Sequence, residues 1–279
     1  MKKTNLVIFI LFVLIIALGV AIYLRYNPIQ EQTIESAVPA PPPEPVKQPI
    51  VHYPVPEPAV TAKAPNAQVA EQQSDQPQEL PATLPKVQES DQSIQQALET
   101  LFSGNQYYKL LFPENFIQKL VVTIDNLPEK RLPRAHLPIT PPGGKFIVSG
   151  TPEAPQTSSR NNKRYSAYVS LIESIDQDMA IKVYVHFYPL FQAAYEQLGY
   201  KNAYFNDRLV YVIDHLLSTP NPPDPILLAQ PAVLYTFADP SLEKLSAGQK
   251  ILLRIGQDQR SRITKVLASF HQKLINLHP

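Results

Sequence analysis

The chain has 279 residues, of which 30 are proline and only 8 are glycine, and it contains no cysteine. Without cysteine there can be no disulfide, no thiolate nucleophile and no cysteine-ligated zinc or iron–sulfur site. The formal net charge of +1 is far from the basic surplus that binding to nucleic acid requires, so we expect no nucleic-acid partner.

The chain begins with a hydrophobic segment. An uncharged stretch runs from Leu6 to Leu24, and as a helix it nearly spans a hydrocarbon core of about 30 Å. Two lysines precede it, so the positive-inside rule places the N-terminus in the cytoplasm and the rest of the chain outside. A cleaved signal peptide is the alternative, with small residues at 19–21, but the apolar run is longer than usual for one. We predict a single-pass inner (cytoplasmic) membrane protein in which residues 1–26 form the cytoplasmic tip and the transmembrane anchor.

Prolines punctuate residues 27–88, where no packed core can form. We predict a disordered Pro-rich linker. Because proline fixes φ and biases the preceding residue towards extended geometry, residues 39–58 are expected to form a stiff polyproline II spacer. At about 3.1 Å per residue, the linker can reach on the order of 150 Å or more. A second interpretation is that the Pro-rich run is a ligand for an aromatic groove.

Residues 89–279 are predicted to form one compact, mainly helical domain with a few short strands, outside the cytoplasm. Ser90 begins a first helix that Gly104 ends. A second helix opens at Pro113 and stops at Pro128. A long loop rich in proline and glycine follows, with a short strand predicted at residues 145–148.

The C-terminal half shows stronger helical periodicity. Helices resume near Lys163, and residues 180–198 are apolar around most of the circumference, which predicts the centre of the core with a kink or break at Pro189. Residues 204–217 are amphipathic, and residues 226–237 are predicted to be a strand or an extended packed segment. Further signals are the helix cap at Asp239, a capping box formed by Ser246 and Gln249, and a last amphipathic helix over residues 263–277.

Several blocks together resemble a known family. The blocks are VVTIDNLPEKRLPRAHLP with PPGGKFIV, FYPLFQAAYEQLGY, YFNDRLVYVIDHLLSTP and YTFADPSLEKLSAGQKILLRIG. They are similar to the bacterial domain-of-unknown-function family 3014, over residues 84–277. The resemblance implies a bacterial protein with the same layout of anchor, Pro-rich linker and C-terminal domain, and we expect that domain to be periplasmic or otherwise extracytoplasmic. It brings no reaction, ligand or catalytic residue.

The helix over residues 204–217 carries the strongest candidate site. At 100° per residue, Asp207, Tyr211 and Asp214 fall opposite the apolar stripe, with Arg208 and His215 beside them. The candidate binding residues there are Tyr204, Asn206, Asp207, Arg208, Tyr211, Asp214 and His215. Carboxylates seven residues apart on a helix are about 10 Å apart, too far for a retaining glycosidase pair. The alternative is a solvated helix face with structural ion pairs.

A basic loop is the second candidate. Arg131 and Arg134, with the basic residues at 160 and 163–164, are predicted to form a patch suited to acidic polymers or lipid headgroups, or else to be scattered solvated charges. The six histidines show no metal-ligand spacing, and no nucleophile elbow or nucleotide fingerprint is present. We therefore predict no catalytic residue, no cofactor and no metal.

These observations favour a non-enzymatic interaction or cell-wall-binding domain on a stalk. The expected partners are the membrane, through the anchor, and another envelope protein or a cell-wall polymer. The alternative is an envelope hydrolase or transferase that acts on cell-wall glycan or peptide.

Overall fold

The computed structural model describes residues 52–57, 84–102, 104–111 and 114–277. Within these ranges no helix is both long enough and apolar enough to cross a membrane. The predicted anchor and most of the predicted linker lie outside the described residues.

The described part confirms a mainly helical domain with a few short strands. The helices are α1 (Asp91–Leu101), α2 (Phe116–Asn126), α3 (Arg160–Glu173), α4 (Gln177–Gln197), α5 (Phe205–Leu217), α6 (Pro240–Glu243), α7 (Ala247–Arg254) and α8 (Gln257–Ile275). The strands are β1 (Val148–Thr151), β2 (Ala154–Thr157), β3 (Leu228–Ala229) and β4 (Thr236–Phe237). Short 3-10 turns occupy Val87–Glu89, Gln106–Leu110 and Arg134–His136.

Two local features differ from the sequence expectation. The strand predicted at 145–148 begins only at Val148, and β1 pairs antiparallel with β2 through a two-residue turn at Pro152 and Glu153. Helix α4 continues through Pro189, which lies on its exposed side. The neighbouring Tyr188 and Leu190 are buried, so tertiary packing holds the helix together across the proline.

Helix α4 lies at the centre of the largest apolar cluster, as its composition predicted. Phe187 and Phe191 are buried there against Ile117 of α2 and Phe205 of α5. The rings of Phe191 and Phe205 are stacked with centroids 5.8 Å apart. This packing fixes the start of α5 against the middle of α4.

Two parts of the segment assigned to the linker contact this domain. Val87 is buried in the largest cluster, and Leu84 packs at its edge. Val55 packs against the same cluster, whereas Tyr53 packs against a smaller one that includes Ile213 of α5 and Leu274 of α8. Residues 52–57 therefore lie on the helical domain.

Two β-hairpins close the other end of the domain. β3 pairs antiparallel with β4, and the two hairpins are joined at Thr157. The Thr157 N–H donates to the Ile226 carbonyl at 2.9 Å, and the Ile226 N–H donates to the Thr157 hydroxyl at 2.9 Å. Phe237 and Leu253 fill the apolar space beneath them.

Gly248, in the first turn of α7, is expected to tolerate no side chain. A Cβ added there would lie 2.6 Å from Cδ2 of Leu216 and 3.0 Å from the Leu127 carbonyl oxygen. Overpacking of this kind outweighs the helix propensity that alanine gains, so Gly248→Ala is expected to lower the free energy of unfolding by about 1–2 kcal/mol. Urea denaturation measures this. Gly143→Ala is the control, since nothing lies within 4 Å of the added Cβ, and equal losses in the two variants would contradict the argument.

Candidate functional site

The site begins with a row of polar side chains on α4. Tyr188 and Gln192 are four residues apart and so share one face of the helix. The Gln192 Oε1 accepts the N–H of Phe205 at 2.8 Å, and its Nε2 donates to the Ala203 carbonyl at 2.9 Å. The Asn206 N–H points at the Tyr188 hydroxyl at 3.4 Å. Helix α4 thus caps the first turn of α5 and fixes the direction of its side chains.

Two phenols of α4 hold the first polar residue of α5, with Tyr184 at its side chain and Tyr188 at its main chain. The Tyr184 hydroxyl donates to Oδ1 of Asn206 at 2.9 Å. Burial raises the pKa of Tyr184 well above its ordinary value, and burial followed by the neighbouring Tyr184 raises the pKa of Tyr188. Both phenols therefore stay protonated as hydrogen-bond donors. With its oxygen engaged, the Asn206 amide presents its Nδ2 donor to the outside of the helix.

Residues 52–57, which we call the HYPVPE segment, lie across this turn of α5. Their backbone bends at His52 and Tyr53, so that two consecutive N–H groups reach one carboxylate. The His52 N–H donates to Oδ2 of Asp207 at 3.0 Å, and the Tyr53 N–H donates to Oδ1 at 2.9 Å. Asp207 also lies in the first helical turn, where the helix dipole favours its negative charge. One side chain thus holds two main-chain groups.

Two more hydrogen bonds extend the contact along the segment. The Nδ2 of Asn206 donates to the Tyr53 carbonyl at 2.9 Å. The Val55 N–H donates to the Tyr204 hydroxyl at 2.8 Å. All four bonds join side chains at the start of α5 to main-chain groups of the segment. The start of α5 therefore contacts the segment through its main chain.

The side chains of the segment divide between solvent and the domain. The His52 side chain is 67% exposed, with its Nδ1 3.3 Å from Oδ2 of Asp207. Tyr53 packs into the cluster around Val210, Ile213 and Leu274. An apolar cavity of about 310 Å³ lies between α2, α4, α5 and α8, and Ile213 and Leu274 are among the residues that line it.

Arg208, predicted beside Asp207, turns away from the segment towards α2. Its Nε lies 2.9 Å from Oδ1 of Asp125, and its Nη2 donates to the Asp125 carbonyl at 2.8 Å. The Tyr200 hydroxyl donates to the other carboxylate oxygen at 3.2 Å, and the charge of Asp125 is the main cause of the raised pKa of Tyr200. The guanidinium lies 5.1 Å from the ring centroid of Tyr211. Arg208 therefore ties α5 to α2.

Asp214 also has a partner of its own, on another helix. It lies 2.9 Å from Nε2 of His271 on α8. Asp207 is held by the HYPVPE segment instead, so the two carboxylates serve different contacts.

The other candidates of this helix are divided between solvent and a structural contact. Tyr211 is 52% exposed. The His215 Nε2 lies 2.9 Å from the Ser246 hydroxyl, but that serine is buried and accepts the Gln249 N–H as the cap of α7. The Ser–His contact is thus structural.

The basic loop does not join this site. Arg131 and Arg134 are exposed, and within the described ranges their side chains form no hydrogen bond or ion pair. Arg164 donates to the carbonyls of residues 142–144 and so closes the loop onto α3. In the part of the chain that the structure describes, no group of three His, Asp or Glu side chains is placed to hold a metal ion.

From the sequence, Tyr184 and Tyr188 are predicted to be core residues, with the lining of a sugar or peptide groove as the alternative, and they are not among the candidate binding residues. Asp125 has no signal in the sequence, because its partners are distant along the chain. The HYPVPE segment falls in the predicted spacer, whereas in the structure Tyr53 and Val55 pack against the helical domain.

Fold and site define a helical domain that holds an extended chain segment at the start of one helix. The chain belongs to a family described as "Protein of unknown function (DUF3014)", whose model matches residues 116–271. The predicted resemblance is thereby confirmed. The match runs from the start of α2 into α8 and includes Tyr204, Asn206 and Asp207. No curated protein and no solved structure matches the chain.

Proposed function

We propose that this domain is a non-enzymatic interaction domain that binds an extended peptide segment at the start of α5. The observation that carries the proposal is the set of four side-chain to main-chain hydrogen bonds between α5 and the HYPVPE segment. Bonds to main-chain groups serve any extended peptide, which makes this turn of α5 suited to a partner chain as well.

The aromatic surroundings support peptide binding. The rings of Tyr184 and Tyr188 lie 5.6 Å apart, and those of Tyr188 and Tyr204 lie 5.4 Å apart. Tyr204, at one end of this row of packed rings, joins an apolar ring to a polar tip, the combination with which aromatic side chains bind Pro-rich segments in other proteins. The Tyr204 hydroxyl accepts a main-chain N–H, that of Val55, and this contact favours a peptide over a cell-wall glycan.

Its place in the cell is the second part of the proposal. The apolar stretch at residues 6–24 and the lysines before it support a domain that is anchored in the bacterial inner membrane and exposed in the periplasm. The Pro-rich linker would hold it away from the bilayer, within reach of another envelope protein. No contact of Asp207 or Asp214 favours the hydrolase or transferase alternative.

In-cell photo-crosslinking tests the proposal. A photoreactive amino acid is placed at Lys201, in the turn before α5, and at Tyr211, one turn beyond Asp207, both of which are exposed. Val233, 86% exposed on the β3–β4 hairpin, is the matched control. We expect a recurrent protein adduct from the first two positions and not from the third. Glycan adducts, or the same adducts from all three positions, would contradict peptide binding at this site.

A further inference from the structure

The HYPVPE segment places its two prolines where the site uses no main-chain donor. The N–H groups of His52, Tyr53 and Val55 donate to the domain. Pro54 and Pro56 have no N–H to donate and lose nothing in this arrangement. Each proline also restricts the backbone to extended geometry, which lowers the entropy lost on docking.

The side chains that enter the domain follow the same alternation. Tyr53 and Val55 pack into two different apolar clusters, while His52, Pro54 and Glu57 are exposed. The domain thus contacts an aromatic side chain at one position and an aliphatic one two positions later. Side chains two apart in an extended chain point the same way, so both can face the domain.

Building on the proposed function, we infer that the partner segment has the pattern aromatic–Pro–aliphatic–Pro and that HYPVPE is its competitor in the same chain. The site is then closed from within, and a partner binds only by displacing residues 52–57. The partner segment and residues 52–57 then share two features. Both have an extended backbone that Asn206 and Asp207 hold, and both have two apolar side chains that pack against the domain.

Tethering determines how strong this competition is. Residues 58–83 connect the segment to the domain, and a tether of such length gives an effective concentration on the order of millimolar. A free peptide of equal intrinsic affinity therefore needs a similar concentration to displace it. A substitution that weakens the docking of residues 52–57 should lower the peptide concentration needed for displacement without altering the site.

The test uses the full-length chain, which has no natural cysteine and so accepts labels at chosen positions. Labels at Glu57→Cys and Lys201→Cys, both exposed positions, report by pulsed electron resonance whether the segment is docked. The probe is a synthetic peptide with the sequence of residues 50–58. We expect the distribution of distances between the two labels to be short and narrow without peptide, and long and broad with millimolar peptide. A fluorescent copy of the peptide should half-saturate the Tyr53→Ala chain at a concentration at least about tenfold lower than the one needed for the unsubstituted chain.

Two modified peptides separate main-chain recognition from general stickiness. N-methylation of Val55 removes the N–H that Tyr204 accepts and should reduce binding at least about tenfold. Replacement of Pro54 by N-methylalanine removes no donor and should leave binding within a few-fold of the parent.

The outcomes decide between the two proposals. If millimolar peptide leaves the label distance unchanged in the unsubstituted chain and does not bind the Tyr53→Ala chain, the inference is overturned, while a protein adduct near α5 in cells would still support the proposed function. If both modified peptides bind alike, recognition of the main chain through the Val55 N–H is wrong. Should Tyr53→Ala lose its helical circular dichroism, the competition series on the unsubstituted chain alone decides. Displacement without any cellular adduct supports closure of the site by residues 52–57 but contradicts a cellular partner, and with it the proposed function.

Discussion

Replacing Asp125 or Arg208 by alanine is expected to lower the free energy of unfolding by about 3 kcal/mol, because either change leaves one charge of a largely buried pair without its partner. The side chains are 11% and 23% exposed, respectively. The loss should be larger for Asp125→Ala than for Arg208→Ala, since Asp125 accepts hydrogen bonds from both Arg208 and Tyr200. Chemical denaturation followed by circular dichroism measures the loss.

The Glu173–Arg262 pair supplies the matched control. It joins α3 to α8 through the same chemistry, but its side chains are 34% and 38% exposed. Exposed pairs contribute about 0–1 kcal/mol, so Glu173→Ala should cost far less than Asp125→Ala. In addition, the double variant of Asp125 and Arg208 should cost less than the two single losses added together, since it leaves no unpaired charge. Equal losses at the two pairs would show that burial does not govern the Asp125 contact.

Signals confined to a few neighbouring residues were predicted well. The Asp239 side chain caps α6, and Ser246 and Gln249 form both halves of the capping box of α7. The apolar circumference of residues 180–198 correctly placed α4 in the core. Such features need only local geometry, so the sequence contains all the information that determines them.

Contacts between distant residues were not predictable in the same way. Arg208 and Asp125 are 83 positions apart, and Tyr53 and Asp207 are 154 positions apart. Helical periodicity placed Asp207 and Asp214 together on a polar face, but a face does not specify partners. Composition likewise describes residues 27–88 as an average, whereas docking depends on one stretch in which Tyr53 and Val55 alternate with prolines.

The polar face of α5 therefore serves two purposes that the sequence shows as one. Arg208 acts within the fold, through α2, and Asp214 contacts α8. Asn206 and Asp207 act on a segment that is continuous with the linker. The two kinds of residue alternate along the helix, so substitutions must be compared pair by pair to separate stability from binding.

Asp207→Ala is expected to release the HYPVPE segment while the helical domain stays folded. The substitution removes two hydrogen bonds to a charged acceptor, each contributing about 1.5–3 kcal/mol, so a net loss of about 3 kcal/mol lowers the docking equilibrium constant about a hundredfold. Hydrogen exchange of the Tyr53 and Val55 amides, followed by mass spectrometry, measures docking directly and should accelerate by a similar factor.

Asp214→Ala removes a carboxylate from the same helix that does not touch the segment and should leave this exchange unchanged. Tyr204→Phe removes only the acceptor for Val55 and should give a smaller acceleration, of about tenfold. Unchanged exchange in Asp207→Ala would mean that Tyr53 and Val55 hold the segment through apolar contacts alone, and the assignment of α5 as a backbone-binding site would then be wrong.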